Sequence, residues 1–255
     1  MYGRRGRIGL ITLATDTSVL PEYARLMPAE VAVYPAPIPL PRGEVTPAAL
    51  SEMLEGDELE RAARLLRWAG VGIVVFACTT GSLVHGVGWD RDLIGRIERA
   101  SGLPATTTST AVLDALEAVG ATSLAVATPY LDELNAIERR FFEESGFPVA
   151  AIAGLGCATD DEIGRLAPDD AESLIARVVR RDADAIFVSC TNFHVVEAIA
   201  GLEARWGKPV VTSNQAGAWA ALRSLGIEDE IGGYGRLLTM AAPRTGGVIL
   251  AGRPA

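Results

Sequence analysis

The chain has 255 residues, about half of them hydrophobic, and a formal net charge of −9. That supplies apolar material for one large core or two small ones, but no apolar run approaches the roughly 20 residues that cross a bilayer. The acidic balance leaves nucleic-acid binding without electrostatic support. The stretch Ile8–Ala14 is too short for a secretory signal, so a cytoplasmic location is expected.

Short apolar runs alternate with helix-period segments in the order of βαβ units and a parallel sheet. The expected strands are Arg7–Leu13, Glu30–Ala36, Gly72–Ala77, Pro104–Thr107, Ser123–Thr128, Pro148–Ala153, Asp184–Ser189 and Pro209–Thr212. The proline-rich run Pro35–Pro41 reads as an extended loop at a cleft mouth. Thr46-Pro47 caps a helix that pauses near Gly56-Asp57 and continues to Ala69. Asp90–Ala100 ends at Gly102 and Leu131–Glu144 at Gly146, as helices with C-terminal glycines do. Ala167-Pro168-Asp169 opens a helix to Arg181.

These elements occur twice. Each half runs strand, Cys-Thr, helix, Gly-x-Pro, strand, Thr-Ser and helix, with Cys78-Thr79 and Thr108-Ser109 in one half and Cys190-Thr191 and Thr212-Ser213 in the other. The pitch is about half the chain, which indicates a duplicated domain rather than a solenoid. The expected fold is α/β, with two pseudo-symmetric lobes built on parallel sheets and an active site in the cleft between them. Lobe one comprises residues 1–107 and 214–255, and lobe two 108–213.

Both cysteines follow a buried-strand run and precede a polar turn, where open α/β sheets place ligand-contacting groups. A cysteine at a strand end is ordinarily a small buried hydrophobe, but recurrence at equivalent points of a duplication argues for chemistry. Two thiols across one carbon can remove a proton from one face and return it to the other. Thr79, Thr80, Thr191 and Asn192 bring hydroxyls and backbone N–H groups to hold a carboxylate and the charge of an enediolate. Asp16, after the first strand, either orients a cysteine or a substrate donor or caps a helix. Tyr130 also follows a strand end and can donate to a carboxylate. Cys157 lacks this context, and His85 and His194 have no metal spacing. Only one of the 23 basic residues is a lysine, Lys208, at the wrong end of a strand for a Schiff base. With no Gly-x-Gly-x-x-Gly and no Walker loop, no cofactor is expected.

Ala77-Cys78-Thr79-Thr80 and Cys190-Thr191-Asn192 resemble the paired cysteine motifs of the aspartate/glutamate racemase superfamily. The branch is that of maleate cis-trans isomerase, arylmalonate decarboxylase and ectoine-utilisation protein A. Gly9–Asp16, Ser109–Leu113, Ala125–Tyr130 and Gly233–Leu237 extend the resemblance over nearly the whole chain. It implies Rossmann-like lobes and no cofactor. It implies that Cys190 protonates an enediolate, that Cys78 attacks a double bond where the decarboxylase has glycine, and that Thr79, Thr80 and Tyr130 bind carboxylate. Asp16 stands where maleate isomerase has asparagine and is similar to the ectoine-utilisation branch. The expected activity is a cofactor-independent isomerase, either racemase or cis-trans isomerase, of a small carboxylate. An arylmalonate-type decarboxylase using Cys190 and a non-catalytic carboxylate-binding protein are the alternatives. The expected partner is a small carboxylate, not nucleic acid or membrane, and a homo-oligomer is compatible with the sequence.

Overall fold

The structure, a computed structural model, describes residues 2–241. The end of the expected first lobe, 242–255, lies outside the described residues. All eight expected strands form, in two four-stranded parallel sheets. The first contains β1 (Gly6–Leu13), β2 (Val31–Ile38), β3 (Ile73–Phe76) and β4 (Ala105–Thr107), in the order β2-β1-β3-β4. The second contains β5 (Leu124–Tyr130), β6 (Val149–Cys157), β7 (Ala185–Val188) and β8 (Val210–Thr212), in the order β6-β5-β7-β8. The identical order confirms the pseudo-symmetric α/β architecture. The central strands β3 and β7 are buried at every residue, as parallel strands covered on both faces require.

The helices are α1 (Val19–Leu26), α2 (Pro47–Glu55), α3 (Glu58–Trp68), α4 (Trp89–Ser101), α5 (Thr108–Ala118), α6 (Asp132–Glu144), α7 (Asp160–Gly164), α8 (Pro168–Val178), α9 (Ile199–Trp206) and α10 (Ser213–Ser224). The Thr46 hydroxyl accepts from Ala49 N, and the expected pause falls between α2 and α3. Gly102 and Gly207 end α4 and α9 with φ near +69° and +65°, a conformation that favours glycine.

Two expectations need correction. Pro35 and Pro37 belong to β2, paired with Leu10 and Thr12 of β1; β2 is an edge strand, where a missing N–H costs no ladder bond. The repeat is also in a different register at its second strand. Thr107 and Thr212 are the N-caps of α5 and α10, accepting from Thr110 N and Gln215 N, so Thr108 matches Ser213. The run Thr106-Thr107-Thr108 hides this shift.

α5 and α10 start at the ends of β4 and β8 and pack against each other. Every residue of α10 from Ser213 to Arg223 is buried, as for a helix enclosed on all sides. It touches β3 and β4 of the first sheet and β8 of the second. The two sheets therefore meet around α10, with the cysteine turns at its N-terminal end.

Candidate active site

Cys78 and Cys190 leave β3 and β7 two residues past the last strand position, and both are buried free thiols. The turn after Cys78 is built locally. Gly81 N–H and the Thr80 hydroxyl reach its sulfur, and a Cβ on Gly81 would stand 2.8 Å from that sulfur. Glycine is required there because the amide must approach so closely. The turn after Cys190 is held from a distance. Asn192 N–H and the Tyr130 hydroxyl reach its sulfur, and Cys190 itself has φ +98°. A non-glycine residue in that region stores about 1–3 kcal/mol of strain, which the surroundings must hold in place.

Part of that restraint is Ser213. Its buried hydroxyl oxygen accepts from Cys190 N at 3.0 Å and from the Thr79 hydroxyl at 2.8 Å. One atom of α10 thus ties together the turns that follow the two cysteines. Tyr130 is aimed by a register shift between β5 and β6 at Thr128 and Tyr130, since a bulge re-directs the side chain that follows it. The shift depends on Gly154, where a Cβ would lie 2.1 Å from Tyr130 O. Asn135 fixes the same corner through Thr128 Oγ1 and Tyr130 O.

The loop after β1 reaches across to the second lobe. Thr17 N donates to Asn192 Oδ1 at 2.9 Å, Ser18 Oγ donates to Asn192 O at 2.9 Å, and Asn192 Nδ2 donates to Asp160 O at 2.9 Å. The Asn192 side chain is therefore occupied in joining the lobes, and this residue presents its N–H to the site. Glu22 of α1 makes a parallel link, accepting from Val195 N, Val196 N and Asn214 Nδ2. Each such buried bond contributes about 1 kcal/mol. Val45 N bonds Ala158 O, and Leu40 and Val45 are buried beside it. Arg42 pairs instead with Glu44 and Glu52 on the surface.

Two carboxyl groups act on both thiols. Asp16 Oδ1 accepts from Ser18 N and Val19 N, which realises the capping role, while Oδ2 is buried without a hydrogen bond. The Thr191 hydroxyl faces this carboxyl. Burial, then the charge of Asp160, pushes Asp16 up to about 7 against the pull of its backbone donors. Asp160, at the start of α7, accepts from the Thr15 hydroxyl at 2.5 Å, and burial raises it too. Burial pushes the Cys78 thiol up to about 12, assisted by Asp160 and Asp16. Cys190 is raised as well, first by burial and then by Asp160. Burial therefore favours the protonated form of both thiols.

Hydrogen bonds and charge contacts thus connect Asp16, Cys78, Thr79, Thr80, Tyr130, Cys190, Thr191 and Asn192 where the two sheets meet. Cys157 is half-exposed in β6, His194 pairs with Glu197 on the surface, His85 stacks edge-on with Trp89, and Lys208 donates to Ala183 O. Asp160 or Asp161 is expected from the sequence to approach the substrate from the second lobe, and Asp160 is the one that acts on both sulfurs; Ser213 has no role there. The Thr-Ser repeat contained Ser213, but only the packing of α10 shows which turns it joins.

Known proteins share this fold. The arylmalonate decarboxylase family profile matches residues 8–238. Arylmalonate decarboxylase of Bordetella bronchiseptica is 33% identical over 230 residues, 86% of this chain and 94% of the relative. A maleate isomerase of Pseudomonas putida is 27% identical over 244 residues, covering 92% and 98%. Crystal structures of a P. putida maleate isomerase variant with maleate and of a liganded arylmalonate decarboxylase variant superpose with TM-scores of 0.87 and 0.82. They are 25% and 31% identical to this chain, covering 93% and 91% of it and 98% of each known structure. The chain belongs to the arylmalonate decarboxylase family and is an enzyme with the cysteine-based chemistry of its isomerases and decarboxylases.

Proposed function

We propose that the protein isomerises a small carboxylate, with Cys78 and Cys190 working on opposite sides of the reacting carbon. The observation that carries this reading is the sharing of one environment by two thiols: Asp16 and Asp160 act on both sulfurs, and Ser213 links the two turns. Asp16, poised near 7, accepts the proton of a cysteine as substrate enters, because a base is most effective near the working pH. The other thiol remains protonated.

For racemisation, the thiolate takes the α-proton, the C–H electrons pass into an enediolate, and the opposite thiol protonates the other face. For cis-trans isomerisation, the Cys78 sulfur adds to an alkene carbon and the π electrons move to the carboxylate. Rotation about the new single bond follows, the electrons return, and the C–S bond breaks. Thr79, Thr80, Thr191 and the Asn192 N–H hold the carboxylate and its developing charge, while the Tyr130 hydroxyl donates to the Cys190 sulfur; one well-placed donor lowers the barrier by about 3 kcal/mol. The unpartnered Asp16 Oδ2 suits a substrate N–H or O–H donor.

The identity to the Bordetella decarboxylase favours a second reading, loss of CO₂ from a disubstituted malonate with Cys190 returning the proton. Both readings concern a small carboxylate handled in the cytoplasm, where the three free thiols stay reduced. Both use a cleft between lobe one, 1–107 with 214–255, and lobe two, 108–213. Among the described residues no helix is long and apolar enough to cross a membrane.

Incubation in D₂O with dicarboxylates, α-amino acids and α-aryl acids, followed by NMR, separates the cases. Deuterium exchange without CO₂ indicates racemisation, maleate turning to fumarate indicates the alkene route, and CO₂ release selects the decarboxylase. If Cys78→Ser and Cys190→Ser left every such turnover intact, the thiol mechanism would be wrong.

A further inference from the structure

Glu138 has no part in the chemistry above and, among the described residues, carries a buried carboxyl group with both oxygens unpaired. Glu138 lies on the inner face of α6 with Leu134, Phe141 and Phe142 and is fully buried. Neither of its oxygens makes a hydrogen bond. Its neighbour Arg139 is taken by Val149 O and Glu143, and Arg140 lines a surface cleft with His85 and Glu144. The polar group facing Glu138 is Ser189, the residue before Cys190. Ser189 is also fully buried, and its hydroxyl is directed at Tyr130 Oη, 3.5 Å away. The Tyr130 hydroxyl in turn reaches the Cys190 sulfur.

A carboxylate without a partner is costly to bury, so such a group keeps its proton. Burial pushes Glu138 up to about 8. In the neutral form it has one O–H to donate. We propose that Glu138 is a positioning residue for Cys190, a neutral acid that sets the direction of the hydroxyl chain through Ser189 and Tyr130. Glu138 donates towards Ser189, Ser189 towards Tyr130, and Tyr130 to the sulfur, so every donor points at the atom that carries charge during turnover.

An ionised Glu138 has no proton to donate. It draws the Ser189 proton back and puts negative charge beside the Tyr130 hydroxyl, whose sulfur partner already faces Asp16 and Asp160. The titratable group beside it is Tyr130 from β5, which in turn faces Cys190 after β7. Cys157 of β6 responds to Glu162 and Asp170 instead. The inference rests on Cys190 being a reacting thiol, as proposed above.

The test measures the rate at which methyl methanethiosulfonate modifies Cys190, mapped by mass spectrometry from pH 6 to 10. Wild type, Glu138→Gln and Glu138→Leu are compared as full chains. Glutamine keeps a donor and never ionises, so it should match wild type at pH 6.5 and exceed it about three- to tenfold at pH 9.5. Leucine should be slower at pH 6.5 by a similar factor. Equal rates for wild type and Glu138→Gln across the range would overturn the proposal, as would a Glu138→Leu rate equal to wild type. If the leucine variant does not fold, the glutamine comparison decides alone. Because the readout is thiol reactivity, a Glu138 effect without turnover of any carboxylate would remove the proposed function and leave this inference standing.

Discussion

The two cysteine turns descend from one repeated pattern, yet they are held by different means. The Cys78 cradle comes from its own turn: Thr80, Gly81 and the chain direction leaving β3. The Cys190 cradle is imported, with Tyr130 from β5, Ser213 from α10 and a backbone at φ +98°. A locally built site tolerates distant changes, whereas an imported one fails when its supports move. The duplication has kept the position of the sulfur and changed what restrains it.

The strongest break in this comparison is removal of one thiol at a time. Cys78→Ser and Cys190→Ser should each lower isomerisation by about 10³-fold or more, since the remaining thiol serves only one face. Decarboxylation would survive Cys78→Ser and not Cys190→Ser, so rates of the two variants on both substrate types tell the readings apart.

Asp16 acts electrostatically on both sulfurs, and its loss should be felt next. Asp16→Asn is expected to cost about 10²-fold in turnover. The wild-type rate should fall below pH 7, where Asp16 is protonated and cannot accept a proton, and the variant should lose that acid limb. Stability carries the same signature. Asp16 is raised in the fold, so the folded state holds a proton that the unfolded chain releases between about pH 4 and 7. The resulting stability is complete below that window and disappears as pH rises through it. Chemical denaturation at pH 5 and 8 should show a smaller difference in Asp16→Asn. Glu138 and Asp114, also raised by burial, contribute with the same sign.

Gly81→Ala sharpens the contrast by affecting the local cradle alone. Its Cβ would displace the Cys78 sulfur, lowering isomerisation about tenfold or more while leaving the modification rate of Cys190 unchanged. Ser213→Ala acts on both turns, since it also removes the acceptor of the Thr79 hydroxyl. It strands the Cys190 N–H, costing about 1–3 kcal/mol in urea denaturation, and slows turnover several-fold through the imported cradle.

Much of this was legible in the chain. Strands β1 to β8 announce themselves as short apolar runs because a parallel sheet is buried on both faces. The glycines after α4 and α9 and the threonines before α2, α5 and α10 mark boundaries through local backbone chemistry. Pro35 and Pro37 misled, because proline reads as a breaker wherever the strand's place in the sheet is unknown. The threonine triplet before α5 concealed the register that the N-cap bonds disclose.

The sequence by itself determined the two-fold repeat, the parallel α/β sheets and the equivalent places of Cys78 and Cys190 after β3 and β7, since these follow from hydrophobic period and turn chemistry within a few residues. Only the tertiary structure decided that Ser213 joins the turns, that Asp160 faces the same sulfurs as Asp16, that Asn192 spends its amide on Thr17, and that Glu138 stands behind Tyr130. Those contacts link residues far apart in the chain, and burial and hydrogen-bond geometry come into being only when the lobes close on α10.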